Sequence, residues 1–252
     1  MKTATTNGKY LITVALSLVL LLSLFAGCAS AENMPRSISS DLPEYKTVHV
    51  STADEFLAAI GNNTQIVIDA DLIDFSTASD YGKTSGSFYG WEEQFDGPEL
   101  VIMDVKNLQI IGQGQDKTLI QATPRYADVI SFRNCEDLVV SGLTAGHLKE
   151  APGSCIGGVL NFEKCAQVNV ENCGLFGCGI IGIIATDCAN MAVNYTEIYE
   201  CSIMGAQLIN CENTSFSYCS IHDCESNSVF VDGKNNNIFW DGKVLENGNT
   251  VV

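Results

Sequence analysis

The chain has 252 residues, with 30 acidic side chains against 13 basic ones and a formal net charge of −17. This balance argues against nucleic acid and anionic lipid surfaces as partners, and against direct binding of a polyanion such as pectate unless a cation bridges the two. An apolar content of 46% over this length suits one domain with a continuous core.

Residues 1–27 read as an export signal rather than as part of the fold. Lys2 and Lys9 supply a positive start, and Leu11 to Phe25 is an apolar run too short and too N-terminal for a membrane span. The run ends in Leu24-Phe25-Ala26-Gly27-Cys28, which resembles a bacterial lipobox, with Phe25 where that pattern usually has leucine. The resemblance implies that Cys28 is lipidated and becomes the mature N-terminus, anchored to the outer face of the bacterial cell membrane. Cleavage after Ala29-Ser30-Ala31, giving an ordinary secreted protein, is the main alternative, and an uncleaved anchor is another. Residues 28–46 are rich in Ser, Pro, Asn and Glu and read as a flexible tether to a domain over 47–252.

Thr52-Ala53-Asp54-Glu55 is a capping box. It predicts a short helix through Phe56, Leu57, Ala59 and Ile60 with Gly61 as its stop, followed by a strand at Gln65-Ile66-Val67-Ile68. The excursion from Asp71 to Pro98 carries Tyr81, Phe88, Tyr89, Trp91 and Phe95 among acids. Its length suggests function or disorder, its aromatics argue against plain disorder, and Phe88, Tyr89 and Trp91 are expected to pack onto the domain's flank, with Trp91 also a candidate ligand contact. Asp80, Glu92, Glu93 and Asp96 could supply oxygen ligands to calcium, although no EF-hand spacing is present.

From there a period dominates. Cys155, Cys178, Cys201 and Cys224 are each 23 residues apart, as are Cys165, Cys188 and Cys211. Cys135 joins the second series after an insertion of 7, and Cys173 and Cys219 flank Thr196 at the same spacing. Only Cys28 of the 11 cysteines lies outside the pattern. A fixed period in this range marks a repeat architecture. Counting from Cys165, Cys188, Cys211 and Lys234, apolar residues recur at offsets of 3, 5, 10, 15, 18 and 20, as in Val168, Val170, Leu175, Ile180, Ile183 and Ala185. Pairs two apart are strand alternation, and no long helix fits between them. The pattern predicts a coil of three short parallel strands per turn, stacked at about 4.8 Å, with inward side chains in ladders. Two earlier turns start at Val105 and Cys135. The helix is placed to cover the open N-terminal end, while no cap is visible after the last turn, which would fray, meet another chain or continue in a longer sequence.

The cysteine spacings do not match a metal site, and no metal is expected from them. Adjacent rungs would satisfy disulfide geometry, yet the columns also hold non-cysteine members, so mostly unpaired buried thiols are expected.

Chemistry could sit at the corner between the second and third strands: each of the two earlier turns carries an insertion of 7, expected at or near this corner, within 112–124 and 144–154. The loop with His147, Lys149 and Glu150 would overhang a strip formed by the columns Phe176, Tyr199, His222 and Gly177, Glu200, Asp223, with Glu197 beside them. Aromatic faces and acids suit a carbohydrate groove, so Glu150, Phe176, Glu197, Tyr199 and His222 are the candidate binding residues. His147, Lys149, Glu200 and Asp223 are the catalytic candidates, Glu200 and Asp223 at retaining-glycosidase spacing. His147 and Glu200 are expected to point outward, so their loss should leave the fold intact. His49 is expected to be structural. Lys149 and Arg125 are the bases a lyase could use. No G-x-S-x-G triad or phosphate loop is present.

The opening Val48-His49-Val50-Ser51-Thr52-Ala53-Asp54-Glu55-Phe56-Leu57-Ala58-Ala59-Ile60, the following Asn63-Thr64-Gln65-Ile66, and the turns Asn134-Cys135, Asn172-Cys173 and Asn210-Cys211 resemble right-handed parallel β-helix proteins of the pectate-lyase-like superfamily, in particular exported bacterial ones. The resemblance spans about 47–246. It implies an all-β, single-stranded right-handed parallel β-helix of about six to seven turns with an N-terminal capping helix. That superfamily holds lyases, hydrolases, epimerases, adhesins and passive surface proteins, so fold alone does not choose a function. The expectation is a membrane-anchored protein that binds carbohydrate or cell-surface polymer or serves structurally, with no cofactor. The alternative is a polysaccharide lyase or glycoside hydrolase using His147, Glu200 and Asp223.

Overall fold

The computed structural model describes residues 44–83, 85–148, 156–177, 179–234 and 236–252. Cys28, Lys149, Glu150, Cys155 and Cys178 lie outside the described residues.

Three sheets wrap one core. The first runs in the order 46–50, 64–68, 106–111, 136–141, 166–171, 189–194, 212–217, 236–240 and 243–244. The second contains 72–74, 119–122, 144–147, 174–176, 197–199 and 220–222, and the third 89–94, 97–103, 130–133, 160–163, 181–186, 204–209, 226–232 and 248–251. Each residue pairs in parallel with its counterpart one turn away, so Leu138, Val168, Met191 and Thr214 share a column, as do Ala145, Leu175, Ile198 and Ile221, and Phe132, Phe162, Ala185 and Leu208. All of these are buried, with their alternate neighbours facing out. The expected β-helix is the fold.

Two residue types make the coil possible. The first is small, buried cysteine at the corners. The eight described cysteines are all free, and their thiols donate to backbone carbonyls, as Cys188 Sγ does to Phe162 O at 3.4 Å. Burial pushes the Cys173 thiol up to about 12, so it stays protonated and inert. Cys201 and Cys224 sit on adjacent rungs, with the Cys201 N–H 3.4 Å from Cys224 Sγ. The second is asparagine or aspartate in the left-handed region, where the chain turns between sheets. Asn134, Asn172 and Asn210, each just before an inward cysteine, have φ of 53°, 51° and 54°. These residues tolerate that backbone best after glycine. Their amides form ladders: Asn237 donates to Asn213 at 2.9 Å, and Asn213 to Asn190 at 3.1 Å.

The ends depart from the coil. Thr52 caps the helix Ala53–Ala59 by accepting from the Glu55 N–H, while Glu55 accepts from the Ser51 N–H at 2.7 Å. The helix stops because Ile60 turns extended, not through a left-handed Gly61. Phe56 and Leu57 sink into the core, which makes the helix the expected lid. Part of the excursion, 89–94, folds back antiparallel on 97–103; Phe88, Tyr89 and Trp91 pack against the core as expected, and Tyr81 joins them. At the C-terminal end a cap exists that the sequence did not reveal. Strands 243–244 and 248–251 pair antiparallel with the last strands of the first and third sheets. The last turn also slips by one residue: Ile238 and Trp240 take the places expected of Asn237 and Phe239, and Val244 is exposed rather than inward. The offset-15 column is likewise outside the core, since Ile203 is 42% exposed at a corner.

Among the described residues no helix is long and apolar enough to cross a membrane.

Candidate functional site

The outer face of the second sheet carries the candidate site. Along it, every third-column residue points outward in register: Asp74, Gln121, Gly146, Phe176, Tyr199 and His222. Phe176 stacks on Tyr199 with ring centroids 5.8 Å apart, and Tyr199 on His222 at 5.5 Å with planes only 3° apart. The rung spacing of a parallel sheet imposes this stacking. Phe176 is buried because its ring and carbonyl lie where a side chain on Gly146 would be, so Gly146 forms its seat.

One insertion builds a wall beside this ladder. Ile120 follows Val105 by 15 residues, whereas Ala145 follows Cys135 by only 10, although the two are aligned. Most of the first insertion therefore lies in 112–118, before the second strand, which corrects its expected place at the later corner. The second insertion does lie at that later corner, between 147 and 160. The 112–118 loop is held by Thr144 Oγ1 donating to Gln115 O at 2.6 Å. Between loop and ladder runs an open groove of about 650 Å³ lined by Asp71, Gln115, Asp116, Lys117, Thr118, Leu119, Thr144, Phe176 and Tyr199.

His222 closes the ladder and is held by two carboxylates. Nδ1 lies 2.8 Å from Asp223 Oδ2 and Nε2 lies 2.8 Å from Glu197 Oε1. Ionised carboxylates only accept, so both ring nitrogens donate and the imidazolium is the form that fits. The bonds to Asp223 and then Glu197 accordingly raise the His222 pKa above the ordinary histidine value. Tyr199 is raised as well, by burial and then by Glu197 and Glu200, so its phenol remains a donor.

His147 is the main correction. It does not face the strip: its side chain is 1% exposed beneath the corner of 123–129. Nε2 donates to Ala127 O at 2.8 Å, while Nδ1 has no partner among the described residues. Burial lowers its pKa, which keeps it neutral. The corner above is pinned by Asp128, which accepts from the Gly158 N–H and from Asn161 Nδ2, and by Glu99, which accepts from Ser131 Oγ at 2.6 Å. His147 therefore stands apart from Glu200 and Asp223, which are exposed at their own corner, each with a left-handed backbone. Trp91 lies on the third sheet against Tyr81, outside the groove. The four acids considered for calcium are dispersed: Asp80 accepts from Tyr89, Glu92 pairs with Arg133, and Asp96 accepts from the Arg125 and Tyr126 N–H groups. No cluster suited to a metal ion occurs among the described residues. His49 meets Asp69 at 3.0 Å on the first turn.

Tyr195 and Tyr218 were not singled out by the sequence. They stack at 5.0 Å, 6° from parallel, at the corner leading into the second sheet. The signal was present, since they are 23 apart and fall just before the Cys173, Thr196, Cys219 column.

Comparison with known proteins agrees with this geometry. The family model described as a right handed beta helix region matches residues 125–251, just over half of the chain. The chain belongs to this family. Among solved structures, this β-helix protein is similar to an alginate lyase from Paenibacillus sp. str. FPU-7, with 10% identity and a TM-score of 0.53 over 77% of this chain and 64% of that one. A candidate glycosyl hydrolase from Parabacteroides merdae ATCC 43184 matches with 11% identity and a TM-score of 0.48 over 79% of this chain and 100% of that one. A pectate lyase from Bacillus sp. N165, solved with trigalacturonate, matches with 12% identity and a TM-score of 0.36 over 73% and 67%. At such identities the likeness to the alginate lyase is one of fold alone. No curated protein sequence matches this chain.

Proposed function

We propose that this chain is an exported β-helix protein, lipid-anchored through Cys28, that binds a carbohydrate or cell-surface polymer in the groove on its second sheet. The observation that carries the reading is the outward pair Tyr199 and His222, stacked on the more buried Phe176, beside an open groove whose lining adds acids, an amide and hydroxyls together with Lys117 and Leu119. Sugars offer apolar ring faces and hydroxyls, and these groups answer both. The net charge of −17 and the acids Asp71, Asp116 and Glu197 favour neutral or cationic glycans over uronates. The fold shared with the alginate lyase supports a carbohydrate ligand in general terms, without favouring alginate itself.

The test is a panel of neutral, amino and uronic polysaccharides in affinity electrophoresis, with the products examined for new reducing or unsaturated ends. Retention by a neutral or amino glycan, abolished in Tyr199→Ala and without product, supports the binding reading. Product release would turn it towards the enzyme alternative. Unchanged retention in Tyr199→Ala would remove the groove from consideration. For the anchor, incorporation of a labelled fatty acid on expression in bacteria, lost in Cys28→Ala, is the expected result.

A further inference from the structure

The corner occupied by Tyr195 and Tyr218 is unusual for the residues it holds. The same column, reading up the coil, contains Gly142 and Asn172, aligned through their neighbours Ser141, Glu171, Asn194 and Ser217. All four members have a left-handed backbone, with φ of 65° and 51° for Gly142 and Asn172 and of 49° and 54° for the tyrosines. Glycine and asparagine adopt this conformation readily, while a bulky side chain is strained in it. The tyrosines gain little burial in return: Tyr195 is 53% exposed and Tyr218 73%. Left-handed turns recur in this coil, at Lys164, Gln167 and Glu200 among others, but among the described residues only here does one display a stacked pair of bulky rings to solvent where glycine or asparagine would sit without strain, which points to a use beyond folding.

The pair also has a definite relation to the groove. Glu197 and Ser220 point outward in one column between the two tyrosines and the Tyr199, His222 column. Gln115, which lines the groove, reaches the Tyr195 carbonyl through Nε2 at 3.5 Å. Tyr195 and Tyr199 are four positions apart in the chain, at most about 13 Å at the rise of a strand. The second sheet and the corner leading into it therefore bear two aromatic rails with an acidic and hydroxylic column between them.

We infer that Tyr195 and Tyr218 form a second carbohydrate subsite, so that a glycan chain lies across the coil from the Tyr199, His222 rail to this one. The inference rests on the carbohydrate reading of the groove and extends it: the ligand is an oligosaccharide long enough to span both rails. The tyrosine rings and hydroxyls provide stacking surface and hydrogen bonds at the outer end.

The experiment compares disaccharides with hexasaccharides of the neutral cello-, manno- and chito- series by calorimetry on the full chain, in wild type, Tyr218→Asn and Tyr199→Ala. The longer ligand should bind more tightly to wild type. Tyr218→Asn should weaken the hexasaccharide by about three- to tenfold and leave the disaccharide unchanged. Its Tm should stay level or rise by about 2–4 °C, because asparagine relieves the strain. Tyr199→Ala should weaken both ligands. If Tyr218→Asn binds both lengths as wild type does while Tyr199→Ala fails, the second subsite is refuted and the groove stands. A clear fall in Tm for Tyr218→Asn would make the pair structural and also refute it. If no glycan binds and Tyr199→Ala changes nothing, the carbohydrate reading falls and the subsite with it.

Discussion

Two aromatic ladders run along this coil, one inside and one outside. Phe132 and Phe162 stack at 5.2 Å, 8° from parallel, and both are fully buried. Tyr199 and His222 stack at 5.5 Å, 3° from parallel, on the outer face of the second sheet. The ring geometry is nearly the same because the rung spacing of the sheet sets it in both places. What differs is the side of the strand. Inside, the rings remove apolar surface from water and hold the turns together. Outside, the same stacking leaves edges, hydroxyls and charge available to a ligand. Stacking by itself therefore does not distinguish structure from function in a β-helix; burial does.

The largest test of this contrast is stability. Phe162→Ala should cost about 3–5 kcal/mol in urea unfolding, because the cavity lies in a packed interior. Tyr199→Ala should cost about 1 kcal/mol or less while removing glycan binding. Equal losses would break the comparison.

A middle-sized effect is expected from His147, a polar residue that has gone to the inner side. His147→Ala should cost about 1–3 kcal/mol, through the lost bond to Ala127 and the space left behind. It should also change the pH dependence. Buried His147 has a lowered pKa, so below about 6.5 the unfolded chain takes up a proton that the folded one refuses. Wild type should lose stability as pH falls below about 6.5, and the variant should lose less over that range. Unfolding midpoints measured across that range check this directly.

The smallest effect has the opposite sign. His222 has a raised pKa in the fold, so its contribution is complete below about 6.5 and disappears as pH rises through the folded value. The side chain is 40% exposed, so solvent screens most of the gain. In Glu197→Gln the His222 titration followed by NMR should move to lower pH with little change in global stability. An unchanged midpoint would show that Glu197 does not hold the ring.

Much of the fold could be read from the residues themselves. Cys165, Cys188 and Cys211, and the inward columns through Val168, Leu175 and Ile183, recur because each turn recreates the same buried environment, so burial writes its period into the chain. The capping helix was legible from Thr52 and Glu55 because capping is local chemistry. The aromatic ladder of the second sheet was also legible, since residues one period apart must stack.

The site was only partly so. His147 was read as facing outward because a loop residue with a polar side chain normally meets water. The fold turns it under a corner held by Asp128 and Glu99, contacts that come from a neighbouring turn. The Tyr195 and Tyr218 pair carried a signal in its period, but the backbone strain that makes it informative is a dihedral angle and not a letter in the sequence. The antiparallel closure at 243–251 was equally hidden, because a short alternating run does not state the direction in which it pairs.

The amino-acid sequence alone determined the repeat, the inward columns and the thiol-lined interior, since these follow from alternation and a fixed period. Only the tertiary structure decided how insertions divide between corners, which polar groups turn inward and how the last coil is closed. Those outcomes depend on contacts between turns, where residues far apart in the chain compete for the same space and the same hydrogen bonds.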